Sequence, residues 1–295
     1  MKTLVTGAAG FLGRGLVQRL KQETQHELHV ADLRPVPGGI FHRCDLSVPA
    51  EVGELLRTIS PQRIYHLAGT FTNEYGADFR SNVDSTRHLL EAVRQGGGPV
   101  RVLLIGSAAE YGRVREEDNP LQEEQPLAPV SLYGWTKACQ TLLMGYYYRV
   151  HALDVVMARL FNLTGNGASN RLFVGRLQEQ VEQLLAGKIP EITVGALDAV
   201  RDYLPVEEAA RQLERVMLSG LSGQVYHVAS GVPVRMRTLL GQLLQARGVS
   251  RDCVREAPRP ALDKIDAPVV YADVTKTSRL PPPSSSTCAG NGPMA

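Results

Sequence analysis

The chain of 295 residues has few cysteines, almost no excess of charge and no long apolar run. Its four cysteines lie far apart and form no CxxC pair, so the sequence predicts neither a metal site nor a disulfide framework. The net charge of +2 is too small to favour nucleic acid or a membrane surface as a partner. No window reaches the roughly 18 uninterrupted apolar residues of a membrane-spanning helix. We therefore expect a protein of the reducing cytoplasm.

Short apolar runs alternate with helical periodicity in the first 160 residues. Four runs predict buried strands: Thr3–Thr6, Leu28–Ala31, Arg63–Ala68 and Arg101–Ser107. Helical spacing follows the first three, over Phe11–Lys21, Glu51–Ile59 and Val83–Gln95. Because parallel neighbours need a crossover connection, the alternation predicts βαβ units. The predicted fold class is α/β, a Rossmann-type doubly wound parallel sheet. Since residues 1–5 already resemble the start of a strand, we expect no signal peptide.

After about residue 160 the pattern predicts a smaller carboxyl-terminal lobe, interleaved with the last strands of the main sheet. A glycine- and asparagine-rich loop over Asn162–Asn170 comes first. Further strands are predicted over 191–194 and 224–228, and helices over 172–186, 206–218 and 235–246. We expect one domain over 1–160 and the lobe over 161–280. Residues 281–295 contain no Leu, Ile, Val or Phe and are predicted to be disordered.

A glycine-rich turn joins the first predicted strand to the first predicted helix. Glycines let the backbone approach a pyrophosphate, and a helix amino terminus offers N–H groups and partial positive charge. A glycine motif alone is weak evidence, but the second strand ends at Asp32, near the spacing of an acid that binds the adenosine ribose. The alternative for Asp32 is an exposed residue at a strand end. The sequence predicts a dinucleotide site that includes Gly7, Gly10, Phe11, Leu12, Gly13 and Asp32.

The choice between NAD and NADP depends on the charges near this turn. An acid at position 32 would repel a 2′-phosphate, so the sequence favours NAD. Arg14 and Arg34 lie close enough along the chain to keep NADP possible. Asp45 is a candidate partner for the adenine amino group, and its alternative role is a helix cap.

A second motif, Tyr133-Gly134-Trp135-Thr136-Lys137, puts a phenol and an ammonium on one helix face. A free phenol has a pKa of about 10, and a nearby cation lowers that pKa. We therefore expect Tyr133 to exchange a proton during hydride transfer. Ser107 ends a predicted strand, at the edge where open α/β sheets bind ligands. Although Tyr-x-x-x-Lys alone is often a surface pair, this context predicts a catalytic set of Ser107, Tyr133 and Lys137.

Together these motifs resemble the extended short-chain dehydrogenases/reductases of the NAD-dependent epimerase/dehydratase family, which act on nucleotide sugars. The matching segments span about residues 1–280: 6–13, 32, 45–46, 66–69, 82–86, 107–112, 133–137, 159–162 and 201–203. The resemblance implies that the domain over 1–160 binds the dinucleotide and that the lobe over 161–280 binds the substrate. It also implies a homodimer through the helices around 83–95 and 133–149. Further implied cofactor contacts are Asp45, Leu46, Leu67 and Ala68.

The resemblance also implies substrate contacts. A guanidinium matches phosphate oxygens in a bidentate fork, so Arg201 suits a diphosphate; its alternative is a surface ion pair with Asp202 or Glu207. The implied substrate contacts are Ser107, Asn162, Arg171, Arg201 and Arg259.

Family members reduce, epimerise or dehydrate. The resemblance implies that dehydratases carry an acid two positions beyond the serine, where this chain has Ala109. Glu110 follows one step later and would point to the opposite face, so dehydration is disfavoured. The segment Val194–Tyr203 resembles the reductases of GDP-4-keto-6-deoxy-mannose. The first hypothesis is reduction of a 4-keto group on a nucleotide-diphosphate 6-deoxyhexose. The alternatives are a nucleotide-sugar 4-epimerase with tightly bound NAD and a dinucleotide sensor without turnover.

Overall fold

A seven-stranded parallel sheet lies at the centre of the structure, a computed structural model that describes residues 1–22, 27–257 and 267–282. The strands are β1 (Lys2–Thr6), β2 (Glu27–Asp32), β3 (Ile40–Arg43), β4 (Arg63–His66), β5 (Arg101–Ser107), β6 (Val155–Leu160), β7 (Asn162–Thr164), β8 (Ile192–Val194), β9 (Val200–Pro205), β10 (Val225–Val228), β11 (Pro233–Arg235), β12 (Val254–Glu256) and β13 (Val269–Val270). The α-helices are α1 (Phe11–Leu20), α2 (Pro49–Ile59), α3 (Tyr75–Phe79), α4 (Ser85–Gly96), α5 (Leu132–His151), α6 (Phe173–Leu185), α7 (Val206–Ser219), α8 (Met236–Ala246) and α9 (Thr275–Ser278). One π-helical turn, Arg80–Asp84, joins α3 to α4.

The main sheet has the order β10-β6-β5-β4-β1-β2-β3, and all its neighbours are parallel. From β1 the chain runs outward to β2 and β3, and then crosses back to β4 on the other side. The order of strands therefore reverses between β1 and β4, which creates the crevice where open α/β sheets bind ligands. The predicted Rossmann-type fold class is confirmed.

Helices cover both faces of this sheet. On one face α1 contacts β1, α7 contacts β5 and β6, and the two helices pack against each other, with Leu16 and Leu213 fully buried in the core that they cover. On the other face α2, α4 and α5 enclose a second core, to which Leu89 and Met144 belong. Strands covered on both sides have no polar face, which explains why all six residues of β6 are buried. The sequence analysis did not identify β6.

The second half of the chain adds two small sheets beside the carboxyl edge of the main one. Strand β9 pairs with β7, β11 and β13, while β8 pairs with β12. Helices α6 and α8 bury their own cluster around Leu177 and Leu240. The prediction of a loop over all of Asn162–Asn170 is wrong, because Asn162–Thr164 forms β7. Its pairing with Tyr203–Pro205 of β9 overrides the local preference of polar residues for a loop.

Other predicted elements are present, with ends that differ by a few residues. Within the described ranges, no helix combines the length and apolar character needed to cross a bilayer. The described residues also bring no three His, Cys, Asp or Glu side chains together as metal ligands. Arg259 and positions 283–295 of the predicted disordered tail lie outside the described residues.

Candidate active site

A cleft of about 980 Å³ lies at the carboxyl edge of the main sheet, between that sheet and the elements of the second half. Most of the predicted site residues line it: Gly7, Gly10, Phe11, Leu12, Gly13, Leu67, Ser107, Tyr133, Lys137, Asn162, Arg171 and Arg201. Asp32, Asp45, Leu46 and Ala68 are not among the lining residues.

The glycine-rich turn packs directly on the end of β4. Gly7 has φ +68°, and a Cβ there would lie 2.5 Å from the backbone nitrogen of Ala68. A Cβ on Gly13 would lie 2.3 Å from the carbonyl oxygen of Gly7. A side chain at Gly7 would therefore push the turn away from the end of β4, and one at Gly13 would push α1 away from the turn.

The amino terminus of α1 opens into the cleft. Its N-cap, Gly10, makes no side-chain capping bond, and the first turn of the helix contains no acidic residue. Phe11 and Leu12 of this turn line the cleft. Unsatisfied N–H groups and the positive end of the helix dipole therefore face the space where an anion would bind. These features fit a pyrophosphate.

Asp32 is fixed against the glycine turn. One carboxylate oxygen accepts the Ala9 N–H at 2.9 Å, and the other accepts the Arg34 N–H at 3.2 Å. The exposed Arg34 side chain lines the same end of the cleft. An acid that disfavours a 2′-phosphate and a cation that favours it are therefore neighbours, as their sequence positions suggested.

Asp45 and Leu46 lie in the turn that leads into α2. The Asp45 carboxylate accepts the Ser47 N–H at 2.9 Å and the Ser47 hydroxyl at 2.7 Å, and these two bonds lower its pKa. The cap of α2 is Val48, so the alternative role of Asp45 as helix cap is wrong. Leu46 is 8% exposed and packs in the core under α2.

Ser107, Tyr133 and Lys137 meet at the middle of the cleft. Ser131 caps α5 by accepting the Gly134 N–H at 3.1 Å, which starts the helix with Tyr133 in its first turn. Ser107 and Tyr133 both line the cleft, and the Ser107 hydroxyl acts on the Tyr133 phenol by lowering its pKa. Lys137 is 4% exposed, and its Nζ donates to the Ile105 carbonyl at 3.1 Å and lies 5.7 Å from the Tyr133 ring centroid.

The protonation of the pair differs from the sequence-based expectation. Burial raises the pKa of Tyr133 to about 12, and the Ser107 hydroxyl only partly opposes that effect. Burial also lowers the pKa of Lys137 to about 8, against the opposing charge of Glu110. The phenol pKa is therefore raised instead of lowered as expected, because desolvation of the phenolate is the largest effect on it. Near neutral pH, Tyr133 is therefore protonated and able to donate a proton.

Phe71 is a neighbour of this group that the sequence analysis missed. Its ring meets the Tyr133 ring edge-on, with centroids 5.1 Å apart. The Phe71 loop is held by the buried carboxylate of Asp78, which accepts bonds from Thr70, Thr72 and Asn73. No local motif marks these residues, because the contacts join segments that come together only in the folded chain.

One wall of the cleft is formed by the second half of the chain, and we call it the second-half wall; the first-half wall faces it. The second-half wall carries Asn162, Arg171 and Arg201. Asn162 donates from Nδ2 to the Asp202 carbonyl at 3.1 Å, and Arg171 reaches across the cleft to the Phe71 carbonyl at 2.7 Å. Arg201 donates to the Val200 carbonyl at 2.8 Å. The Asp202 carboxylate is buried and accepts the backbone N–H groups of Ser230 and Gly231, both at 2.8 Å.

Ala109 lines the cleft, whereas Glu110 faces away from it. One Glu110 oxygen accepts the Ser107 N–H at 2.6 Å, and the other accepts Arg159 Nη2 at 3.0 Å. The carboxylate is fully buried in these contacts. It is therefore not positioned to remove a proton from a molecule in the cleft.

The model of the NAD dependent epimerase/dehydratase family matches residues 3–229. The chain is 30% identical over 264 residues to the GDP-6-deoxy-D-mannose reductase of Pseudomonas aeruginosa, covering 88% of this chain and 84% of that protein. It is 31% identical over 275 residues to the dTDP-glucose 4,6-dehydratase of Streptomyces antibioticus, covering 86% and 79%. The solved structure of RMD from Pseudomonas aeruginosa complexed with NADPH superposes with a TM-score of 0.83 at 26% identity, covering 95% and 91%.

Proposed function

The chain belongs to the NAD dependent epimerase/dehydratase family, and we propose that it reduces the 4-keto group of a nucleotide-diphosphate 6-deoxyhexose with NADH or NADPH. The observation that carries this proposal is the meeting of Ser107, Tyr133 and Lys137 beside the open amino terminus of α1. A proton donor, a cation and an anion-binding turn are thereby combined in one cleft.

The first-half wall would hold the cofactor. The turn over 7–13 and the start of α1 would bind the pyrophosphate, and Asp32 or Arg34 would meet the adenosine ribose. Leu67 lines the cleft and would also contact the cofactor, whereas contacts with Asp45, Leu46 and Ala68 stay predictions because these residues are outside the lining. A bound reduced nicotinamide supplies the hydride in such a reaction.

Proton transfer would be carried out by the chain's own side chains. Tyr133, protonated near neutrality, would donate its proton to the oxygen of the reacting carbonyl, while Ser107 orients that oxygen through its hydroxyl. Lys137 would stabilise the tyrosinate that remains, since its ammonium already lies against the ring. Arg171, Arg201 and Asn162, together with Arg259, would bind the sugar nucleotide, with the guanidinium groups on its diphosphate.

Reduction is favoured over the other reactions of the family. Ala109 stands where a dehydratase needs an acid, and Glu110 is committed to buried contacts. The alternative is a 4-epimerase, which uses the same three residues but begins by removing a proton from the sugar. A sensor without turnover is disfavoured because Tyr133 and Lys137 are both present.

The test is an assay with GDP-4-keto-6-deoxy-D-mannose and either reduced dinucleotide. We expect stoichiometric oxidation of the dinucleotide and formation of GDP-6-deoxy-D-mannose or its C4 epimer. UDP-glucose and dTDP-glucose serve as substrates for the epimerase and dehydratase reactions. Tightly bound NAD released from the purified protein, together with interconversion of UDP-hexoses, would contradict reduction and support the epimerase. Binding of dinucleotide without oxidation on any keto sugar would support the sensor.

We also propose that the protein is a homodimer through α4 and α5. The support is a row of exposed apolar side chains on α5, in which Trp135, Leu142 and Tyr146 are 37%, 66% and 47% exposed. Such a row on one helix is typical of a protein–protein contact. Light scattering should show a dimer for the native protein and a monomer for Leu142→Glu. A monomeric native protein would contradict this assignment.

A further inference from the structure

A buried chain of polar contacts supports Ser107 from beneath. Glu110, which is fully buried, accepts the Ser107 N–H at 2.6 Å with one oxygen. Its other oxygen accepts the Thr141 hydroxyl at 2.6 Å and Arg159 at 3.2 and 3.0 Å from Nε and Nη2. Burying a carboxylate is unfavourable unless hydrogen bonds and an opposite charge compensate for its lost hydration. The bonds from Ser107, Thr141 and Arg159 therefore constrain closely where the Glu110 carboxylate lies.

The same contacts continue into the second half of the chain. Arg159, 1% exposed, donates from Nη1 to the Tyr111 hydroxyl at 2.7 Å. That hydroxyl lies 2.5 Å from Nε2 of the buried His227, whose Nδ1 lies 2.9 Å from the Asp273 carbonyl. The strand end that presents Ser107 is thereby connected to β10 and to the segment before α9.

We propose that Glu110 is a positioning residue of the candidate active site, which orients Ser107 through its backbone and supplies the buried negative charge that Tyr133 and Lys137 experience. This inference rests on the proposed role of those three residues. Glu110 itself touches neither substrate nor cofactor, because it lies outside the lining of the cleft.

The charges around Tyr133 and Lys137 indicate what Glu110 contributes to the pKa values of these two residues. Besides burial, Ser107 after β5, Glu110 and Asp78 from α3 act on Tyr133, and Glu110 acts on Lys137; Lys137 in turn acts on His66 from β4. After burial itself, Glu110 is the one charge that raises the pKa of both groups. Removing the Glu110 charge should therefore lower both pKa values together, which makes Lys137 lose its proton earlier and Tyr133 ionise earlier.

The test compares Glu110→Gln with Glu110→Asp. Glutamine removes the charge and keeps an oxygen for the Ser107 N–H, so the alkaline limb of kcat against pH should move down by about one pH unit or more. Aspartate keeps the charge but is one methylene short of the Ser107 N–H. Its kcat should fall on the order of tenfold, with the alkaline limb unmoved. An unshifted limb in Glu110→Gln, with kcat unchanged in Glu110→Asp, would overturn the inference.

A second readout is independent of turnover. Carbon-13 NMR of labelled tyrosine, with the Tyr133 signal assigned from Tyr133→Phe, should show a lower phenol pKa in Glu110→Gln. If no keto sugar is reduced but the phenol pKa shifts, the proposed reaction fails and the role of Glu110 stands. If reduction occurs and the phenol pKa is unmoved, the role of Glu110 is wrong and the reaction stands.

Two further variants separate positioning from stability. Glu214 of α7 is 1% exposed and pairs with Arg19 of α1 at 2.9 Å. Glu214→Gln therefore removes a comparable buried carboxylate. It should lower stability and leave the alkaline limb in place; a shift there as large as that of Glu110→Gln would overturn the inference. If Glu110→Gln fails to fold, Glu110→Gln with Arg159→Met leaves no unpaired buried charge and should shift the limb in the same direction, by less because the positive charge of Arg159 is removed as well.

Discussion

The two walls of the cleft are built in different ways. On the first-half wall, Lys137 is 4% exposed and is anchored to the Ile105 carbonyl, in a 20-residue helix that packs along the main sheet. On the second-half wall, Asn162 and Arg171 are exposed and belong to a three-residue strand and a loop. The groups proposed for chemistry are therefore rigid, and those proposed for substrate binding have room to move.

This difference has a physical reason. Proton and hydride transfer need reacting atoms held within a fraction of an ångström, and only packing from several sides provides that precision. A diphosphate, by contrast, is bound by long guanidinium side chains that can follow it. Changes on the first wall should therefore affect kcat, and changes on the second should affect KM.

The largest expected effect is that of Tyr133→Phe. Removing the proton donor should lower kcat by about 10²- to 10⁴-fold, while dinucleotide affinity stays within about twofold. The measurements are steady-state kinetics of keto-sugar reduction and fluorescence titration with NADPH. Tyr146→Phe, on an exposed part of the same helix, is the matched control and should behave like the native protein. Retained turnover in Tyr133→Phe would refute the assignment of the first wall.

The second wall is tested by Arg201→Ala. Losing a charge-assisted contact to a diphosphate should raise KM for the nucleotide sugar by about ten- to a hundredfold, with kcat nearly unchanged. The KM of Arg201→Lys should fall between the KM of the native protein and that of Arg201→Ala, because an ammonium cannot form the bidentate fork. The control is Arg176→Ala, an exposed arginine of α6 outside the cleft. A loss confined to kcat would contradict the division between the walls.

Low pH should lower the stability of the folded protein, because a buried histidine is kept unprotonated in the fold. His66 is 1% exposed between the hydroxyls of Thr6 and Thr86, and burial lowers its pKa to about 3. An unfolded histidine has a pKa of about 6.5, so between those values the unfolded chain binds a proton that the folded chain does not. Stability is therefore full above pH 6.5 and falls as the pH decreases toward 3, by about 2 kcal/mol from pH 7 to pH 5.

Urea unfolding of the native protein and of His66→Asn at pH 7 and pH 5 measures this effect. Burial also lowers the pKa of His227, to about 4, so part of the acid sensitivity should remain in the variant. The loss between the two pH values should be smaller in His66→Asn than in the native protein. Equal losses in the two proteins would mean that His66 is not the group responsible.

The smallest expected effect is that of Phe71→Leu. An edge-to-face aromatic pair contributes about 0.5–1.5 kcal/mol, so loss of its contact with Tyr133 should lower kcat by about two- to tenfold. KM should rise less. Phe79→Leu is the control, because Phe79 stacks on Trp135 rather than on Tyr133. An effect on KM alone would assign Phe71 to the second wall instead.

Much of the fold and of the first wall could be predicted from sequence because the determining patterns are local. The i, i+4 spacing of Tyr133 and Lys137 needs only a helix, and the glycine turn needs only its neighbouring strand and helix. By contrast, β7 and the Phe71 contact depend on segments far apart in the chain. The pKa of Tyr133 depends on its burial, which spacing does not reveal.

The amino-acid sequence by itself determined the parallel sheet and the residues that gather at its carboxyl edge, since the alternation of apolar runs and helices allows few other arrangements. Only the tertiary structure decided how those residues are protonated and supported. Burial raises the pKa of Tyr133, and Glu110 turns into the core toward Arg159 instead of the cleft. Electrostatic effects of this kind depend on solvent exclusion by the whole fold, which no single segment of the chain encodes.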